Sequence, residues 1–303
     1  MRSILKYTSE NLLIQAVQRG DEGVTPGIIA GVTAAQAGWE YLNAQVRGLA
    51  RGESWSHQTG EHEMGLVILG GVCSIDSNRG RWERVGERPN VFAGLPYALY
   101  LPRHSEFTLT ALTEAFEVAG CWVPTDEDHP ARLVTPADST MEIRGGHSAT
   151  RQINSVFPPG FDCHRLVSVE VYTPGGNWSS YPPHKHDVHR EDEQGHILEA
   201  DLEEIYYYKI DKPRGYAIQR VYNDDRSLDA VMVAHHNDMV LVPYGYHPVS
   251  AAHGYNCYYL NFLAGSAQSL ANSDDPDYAW VQQTWTGKDP RVPMVTRGMM
   301  RSG

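Results

Sequence analysis

Two histidines one residue apart, His184 and His186 in Tyr181-Pro182-Pro183-His184-Lys185-His186-Asp187, are the first residues whose types and spacing could do chemistry. Side chains on a strand repeat every two residues, so both imidazoles would face one side and form a paired nitrogen donor. Glu204 follows eighteen residues after His186, and His247 stands further on in Pro243-Tyr244-Gly245-Tyr246-His247-Pro248. A carboxylate and a third imidazole from neighbouring strands would complete a three-nitrogen, one-oxygen site. Such a site suits one divalent metal per chain, Zn²⁺, Mn²⁺, Fe²⁺ or Ni²⁺, with positions left open for a substrate. His-x-His alone arises readily by chance in a chain with 14 histidines, so the added Glu and His give the pattern its weight. Glu203 and Glu204 compete for the carboxylate place, because alternation lets only one of them face the site.

The elements that must position these residues read as strands. From Glu63 onward, short β-rich runs are divided by turn residues: Gly65 to Ile75, Ala98 to Pro102, Phe107 to Leu112 and Glu117 to Val123. The second half repeats the style in Leu166 to Tyr172, Ile205 to Ile210, Tyr216 to Tyr222, Met239 to Pro243 and Tyr258 to Leu263. Helical signals are weak and confined to the two ends. A Glu opening an apolar run occurs at Glu63 and Glu204, and a strand ending in Pro occurs at Pro102 and Pro243; 204 − 63 and 243 − 102 are both 141. Two tandem copies of one β-fold explain the agreement, and the offset selects Glu204 over Glu203 as the ligand. The predicted architecture is all-β, sandwich or barrel, with one copy in residues 1–140 and a second, carrying the metal and the active site, in 141–303. Pro136, Asp138, Ser139, Gly145 and Gly146 mark the joint.

Composition narrows the partners. Lys plus Arg is 25 against 37 for Asp plus Glu, a balance of −12, which disfavours nucleic acid and anionic membranes. A small anionic substrate would need a local cation. Met239 to Ser273 carries no Asp, Glu, Lys or Arg, but prolines and glycines break it into strand and turn, so it is no membrane span. Met1 to Gly20 lacks the continuous apolar core of a signal peptide, which predicts a cytoplasmic product. The four cysteines form no Cys-x-x-Cys pair and read as buried thiols. Self-association as a homo-oligomer stays open.

His-x-His, a downstream Glu and a distant His on successive strands resemble the cupin metal motif. More specifically, Thr173 to Asp187, Leu202 to Tyr208, Gln219-Arg220-Val221-Tyr222 and Leu241 to Ser250 are similar to the 5-deoxyglucuronate isomerase family of inositol catabolism, which is related to the 5-keto-4-deoxyuronate isomerases. The likeness is dense in the second half and loose in the first, where it rests on Val91-Phe92 and Tyr100-Leu101-Pro102. It implies two tandem cupin barrels and conversion of the aldose 5-deoxyglucuronate to the ketose 5-dehydro-2-deoxygluconate. In the first copy His57-Gln58-Thr59 stands where His-x-His would fall, Glu63 remains, and Glu106 takes the place of the final His, so that barrel is expected to be metal-free. The polar insert between His186 and Glu204 is expected as a surface loop, with His189 and His196 solvated.

A metal held by His184, His186, Glu204 and His247 would polarise the substrate carbonyl. If Glu204 faces inward, Tyr206 and Tyr208 share its face, and Tyr208 is the expected substrate contact. The uronate carboxylate calls for a cation. Lys185 alternates away from the histidines, so Arg220 is preferred, with Tyr246 and Asn261 as further contacts. No residue is identified as the general base. A cupin dioxygenase with the same ligands, or a non-catalytic sugar-binding cupin, are the rival functions; oxygen consumption and binding without turnover would mark them.

Overall fold

The computed structural model describes residues 6–17 and 27–301, so Met1 to Gly20 lies in part outside the described residues. Strands dominate; the helices are short, at Ser9–Leu12, Ala34–Ala37 and in brief 3-10 segments. No described helix is long and apolar enough to cross a membrane.

In the first half, a six-stranded sheet runs in the order Arg132–Val134, Ala98–Leu101, His62–Gly70, Phe116–Pro124, Asn43–Leu49, Ile28–Val32. It shares an apolar core with a four-stranded sheet ordered Ser54–Gln58, Glu106–Ala111, Cys73–Ser77, Gly80–Val85. In the second half, a seven-stranded sheet runs Leu13–Ile14, Met239–Val242, Leu202–Ile210, Cys257–Gly265, Val167–Thr173, Arg151–Phe157, Met141–Arg144. Its four-stranded counterpart is Trp178–Ser179, Val249–Ala251, Tyr216–Tyr222, Asp229–His235. Leu13–Ile14, early in the chain, thus pairs with Met239–Val240 in the second half.

The two large sheets bury their outer faces against each other. Val67, Leu69, Ala119 and Cys121 from one join Phe157, Tyr172, Tyr207 and Leu260 from the other in one apolar cluster. The approach is close enough that a Cβ at Gly65 would lie 2.5 Å from the Phe157 ring. This double use explains why Leu202–Ile210 is buried along nearly its whole length instead of alternating. All four cysteines are free and buried in the described structure.

Two carboxylates clasp the halves together. Glu63 accepts the backbone N–H groups of His164, Arg165 and Leu166 (2.8, 2.7 and 2.9 Å), and Glu203 accepts those of Glu40, Tyr41 and Leu42 (2.7, 3.0 and 2.8 Å). Register makes these two residues counterparts: Glu63 pairs with Val123 as Glu203 pairs with Ala264, while Met64 pairs with Leu101 as Glu204 pairs with Val242. The offset on this strand is therefore 203 − 63 = 140, not the 141 expected from Glu63 and Glu204. The partner of Glu204 in the first half is Met64.

Candidate metal centre and active site

Along Leu202–Ile210, Glu204, Tyr206 and Tyr208 face the interior of the second barrel, and Glu203 faces the clasp. Glu204, His186 and His247 are all buried, and each offers one ligand atom within 4.8 Å of the others. The Nε2 atoms of His186 and His247 lie 2.9 and 3.2 Å from Glu204 Oε2. Each ring is fixed from behind: His186 Nδ1 donates to the Leu202 carbonyl (3.0 Å), and His247 Nδ1 to the Gly245 carbonyl (2.8 Å). A proton on Nδ1 leaves the Nε2 lone pair for a metal, the orientation that partners behind a ligating imidazole impose. His184 lines the same cavity, with its ring centroid 4.7 Å from that of His247.

The loop carrying His247 is held by its own sequence. Gly245 has φ +89°, and a Cβ there would meet the Tyr222 carbonyl oxygen at 2.4 Å. Its N–H donates to Asp187 (2.6 Å), the residue after His186, so the two ligand segments are tied to each other. Tyr246 turns its hydroxyl to Asp224 (2.9 Å), and Asp224 also takes Lys185.

The donor set fits a divalent cation. His247 Nε2 is fully buried with no hydrogen-bond partner of acceptable geometry, which is costly unless something else satisfies it. Burial raises the Glu204 carboxyl, but the His186 and His247 imidazoles beside it outweigh that and hold it down at about 2, so it is an anion at neutral pH. Burial, and then the neighbouring His247 and His186, push His184 well below the ordinary histidine value, leaving it neutral as a ligand must be. Two imidazoles on one carboxylate, with a third, His184, packed on the His247 ring, are donors for a borderline divalent metal.

His184, His186 and Glu204 line a cavity walled by the adjacent strands Arg151–Phe157, Val167–Thr173, Leu202–Ile210 and Cys257–Gly265. Ile153, Val169, Val171 and Leu263 form an apolar side, while Arg151, Tyr206, Tyr259 and Asn261 supply polar atoms. Ser180 Oγ sits 3.0 Å from the Tyr206 hydroxyl and 3.4 Å from that of Tyr259. Burial raises both phenols, Tyr206 well above the ordinary value and Tyr259 to about 12, so they keep their protons.

The KduI/IolB family profile matches residues 13–281. This chain belongs to the KduI/IolB family. It is 43% identical over 259 residues to the 5-deoxy-glucuronate isomerase of Geobacillus kaustophilus (strain HTA426), covering 85% of this chain and 92% of that one. Its structure is similar to the crystal structure of an IolB-like protein from Salmonella typhimurium LT2, with a TM-score of 0.83, 36% identity and coverage of 89% and 98%. The oxalate decarboxylase of Bacillus subtilis shares the double-barrel fold alone, with a TM-score of 0.55 and 12% identity over 83% of this chain and 76% of that one.

Against the sequence expectations, this family member brings His184, His186, Glu204 and Asn261 into one cavity, with His247 set against Glu204. It does not bring Arg220 there. Gln219 turns inward from Tyr216–Tyr222 to accept from Tyr208 (2.7 Å), so Arg220 projects outward and forks onto Asp229 (both contacts 2.7 Å). The Tyr208 hydroxyl is thereby committed to Gln219, and Tyr246 to Asp224; neither residue lines the cavity. Tyr206 takes the place expected of Tyr208. The cavity cation Arg151 was missed, since it opens a strand in no motif and enters only because that strand lies two places from Cys257–Gly265 in the sheet. His189 and His196 are exposed on the insert, bonded to Glu191 and Asp192.

Proposed function

We propose that this chain is an aldose-ketose isomerase that converts 5-deoxyglucuronate to 5-dehydro-2-deoxygluconate, a step of myo-inositol breakdown, using one divalent metal. The observation that carries the reading is the 43% identity spanning 92% of a 5-deoxy-glucuronate isomerase. The donor set of half-buried His184 and buried His186, Glu204 and His247 supports the metal, which when bound supplies Lewis-acid polarisation of the carbonyl. The chain's own groups do the rest. Tyr206 and Tyr259, protonated and joined through Ser180, offer hydrogen bonds to substrate oxygens, and Asn261 adds an amide on the same wall. The apolar side keeps water from the carbon skeleton.

The labour divides between the halves in this reading: residues 141–303 hold metal and substrate, and residues 1–140 form a metal-free barrel, with Leu13–Ile14 lent to the second sheet. The substrate is a small uronate, and the expected compartment is the cytoplasm. The test is turnover of 5-deoxyglucuronate by purified protein, followed by proton NMR, before and after exhaustive chelation. Isomerisation lost on chelation and regained with added Zn²⁺, Mn²⁺, Fe²⁺ or Ni²⁺ is expected. Undiminished turnover without metal would overturn the metal's role.

A further inference from the structure

We infer that Arg151 is the anchor for the substrate's carboxylate, fixing which end of the uronate meets the metal; this rests on the isomerase reading above. Arg151 opens the strand Arg151–Phe157 and is 9% exposed. Its Nη1 is tied to the backbone carbonyls of Tyr181 (3.0 Å) and Ala149 (3.3 Å). Among the described residues, no carboxylate pairs with it, and neither Nε nor Nη2 has a protein partner. Those two nitrogens form the edge that a carboxylate takes in a bidentate fork.

Other arginines in the chain show how unusual this is. Arg88, the other deeply buried one, forks onto Glu170 (3.1 and 2.5 Å). Arg144, which faces the same cavity near its surface, is paired with Glu142 (2.8 Å), and Arg220 with Asp229. Burial pushes the Arg151 guanidinium below its ordinary value, yet an arginine keeps its charge in proteins. A buried charge without a counter-ion is expensive, and the expense is recovered when a ligand brings the opposite charge.

Position makes that ligand the substrate. Arg151 and the His/Glu cluster line one cavity, with Ile153 and Val171 among the apolar residues beside them. Gly145, at φ +73°, leaves room for the guanidinium, since a Cβ there would lie 2.8 Å from Nη1. A chain with a carbonyl at one end and a carboxylate at the other would meet a Lewis acid and a guanidinium across carbon-lined walls. The two poles then exclude the reversed orientation and disfavour neutral sugars.

The test pairs 5-deoxyglucuronate with its neutral analogue 5-deoxyglucose on wild type, Arg151→Ala and Arg151→Lys. Steady-state kinetics are run on metal-loaded protein and calorimetric binding on metal-depleted protein. Arg151→Ala should raise KM for the uronate on the order of 10- to 100-fold, with kcat changed by no more than about threefold. Binding of the neutral analogue should stay as in wild type, and Arg151→Lys, which keeps charge but not the fork, should fall between. Equal losses for both sugars, or an unchanged uronate KM, would overturn the inference. If both variants fail to fold, wild type decides: it must bind the uronate at least about tenfold more tightly than the neutral sugar, and equal binding refutes the anchor. Absence of turnover with retained charge discrimination would instead sink the isomerase reading and leave Arg151 as an anion site.

Discussion

The two barrels share a strand plan and differ in what fills them. At the register position where the second barrel has Glu204, the first has Met64, fully buried. A Cβ added at Gly120 would lie 2.8 Å from both the Met64 methyl and the Trp55 ring, so that interior is packed with side chains. His57 is wedged among Trp55, Phe107 and Trp122, at centroid separations of 5.6 to 6.0 Å, and Glu106 lies exposed beside Gln58. Among the described residues, the second barrel alone brings three or more ligand side chains together. The Glu63/Glu203 pair, by contrast, is matched in both halves. Shared architecture maintains the clasp between barrels, while chemistry depends on a few inward positions that the first barrel fills with carbon.

The largest effect that would break this contrast comes from the ligands. His247→Ala should lose bound metal and cut kcat/KM by at least ~10³-fold, measured with metal content on the same preparation, because a three-donor remnant holds metal weakly and polarises poorly. Retained activity would remove His247 from the centre. Met64→Glu asks the converse question. Without the pair of imidazoles that flanks Glu204, the new carboxylate is a buried, unpaired charge, expected to cost several kcal/mol (roughly 3–5) in denaturant unfolding and to recruit no metal. A second bound metal in that variant would show the first barrel closer to a site than its packing implies.

The clasp gives a smaller and separable effect. Glu63→Ala leaves three backbone N–H groups and the Tyr100 hydroxyl without their acceptor, so stability should fall by ~3 kcal/mol while kcat of folded, metal-loaded enzyme is unchanged. A loss of kcat at full metal loading would tie the clasp to the active site. Arg220→Ala should do least. It removes a half-exposed ion pair worth ~1 kcal/mol or less, and KM for the uronate should move less than about twofold.

Much of this was legible in the sequence because strands write their facing into a period of two. His184 and His186 in one motif and Tyr216 to Tyr222 as a strand follow from that rule. Glu204 was reached through a register one residue out: the repeat aligned it with Glu63, whose true counterpart is Glu203. The two adjacent glutamates hid the slip, since either alignment looks alike in sequence. Arg220 failed for a different reason. Alternation says that Gln219 and Arg220 face opposite ways but not which way is in, and the inward choice was made by the Tyr208–Gln219 hydrogen bond. Arg151 needed the sheet order itself, which no local pattern contains.

The central claim, one catalytic metal per chain seated in the second barrel, is tested most directly by metal stoichiometry on wild type, Glu204→Gln and His57→Ala purified without chelator. The account predicts one metal per chain in wild type and in His57→Ala, and nearly none in Glu204→Gln, with isomerase activity following the metal. Two metals per wild-type chain, one of them lost in His57→Ala, would contradict it.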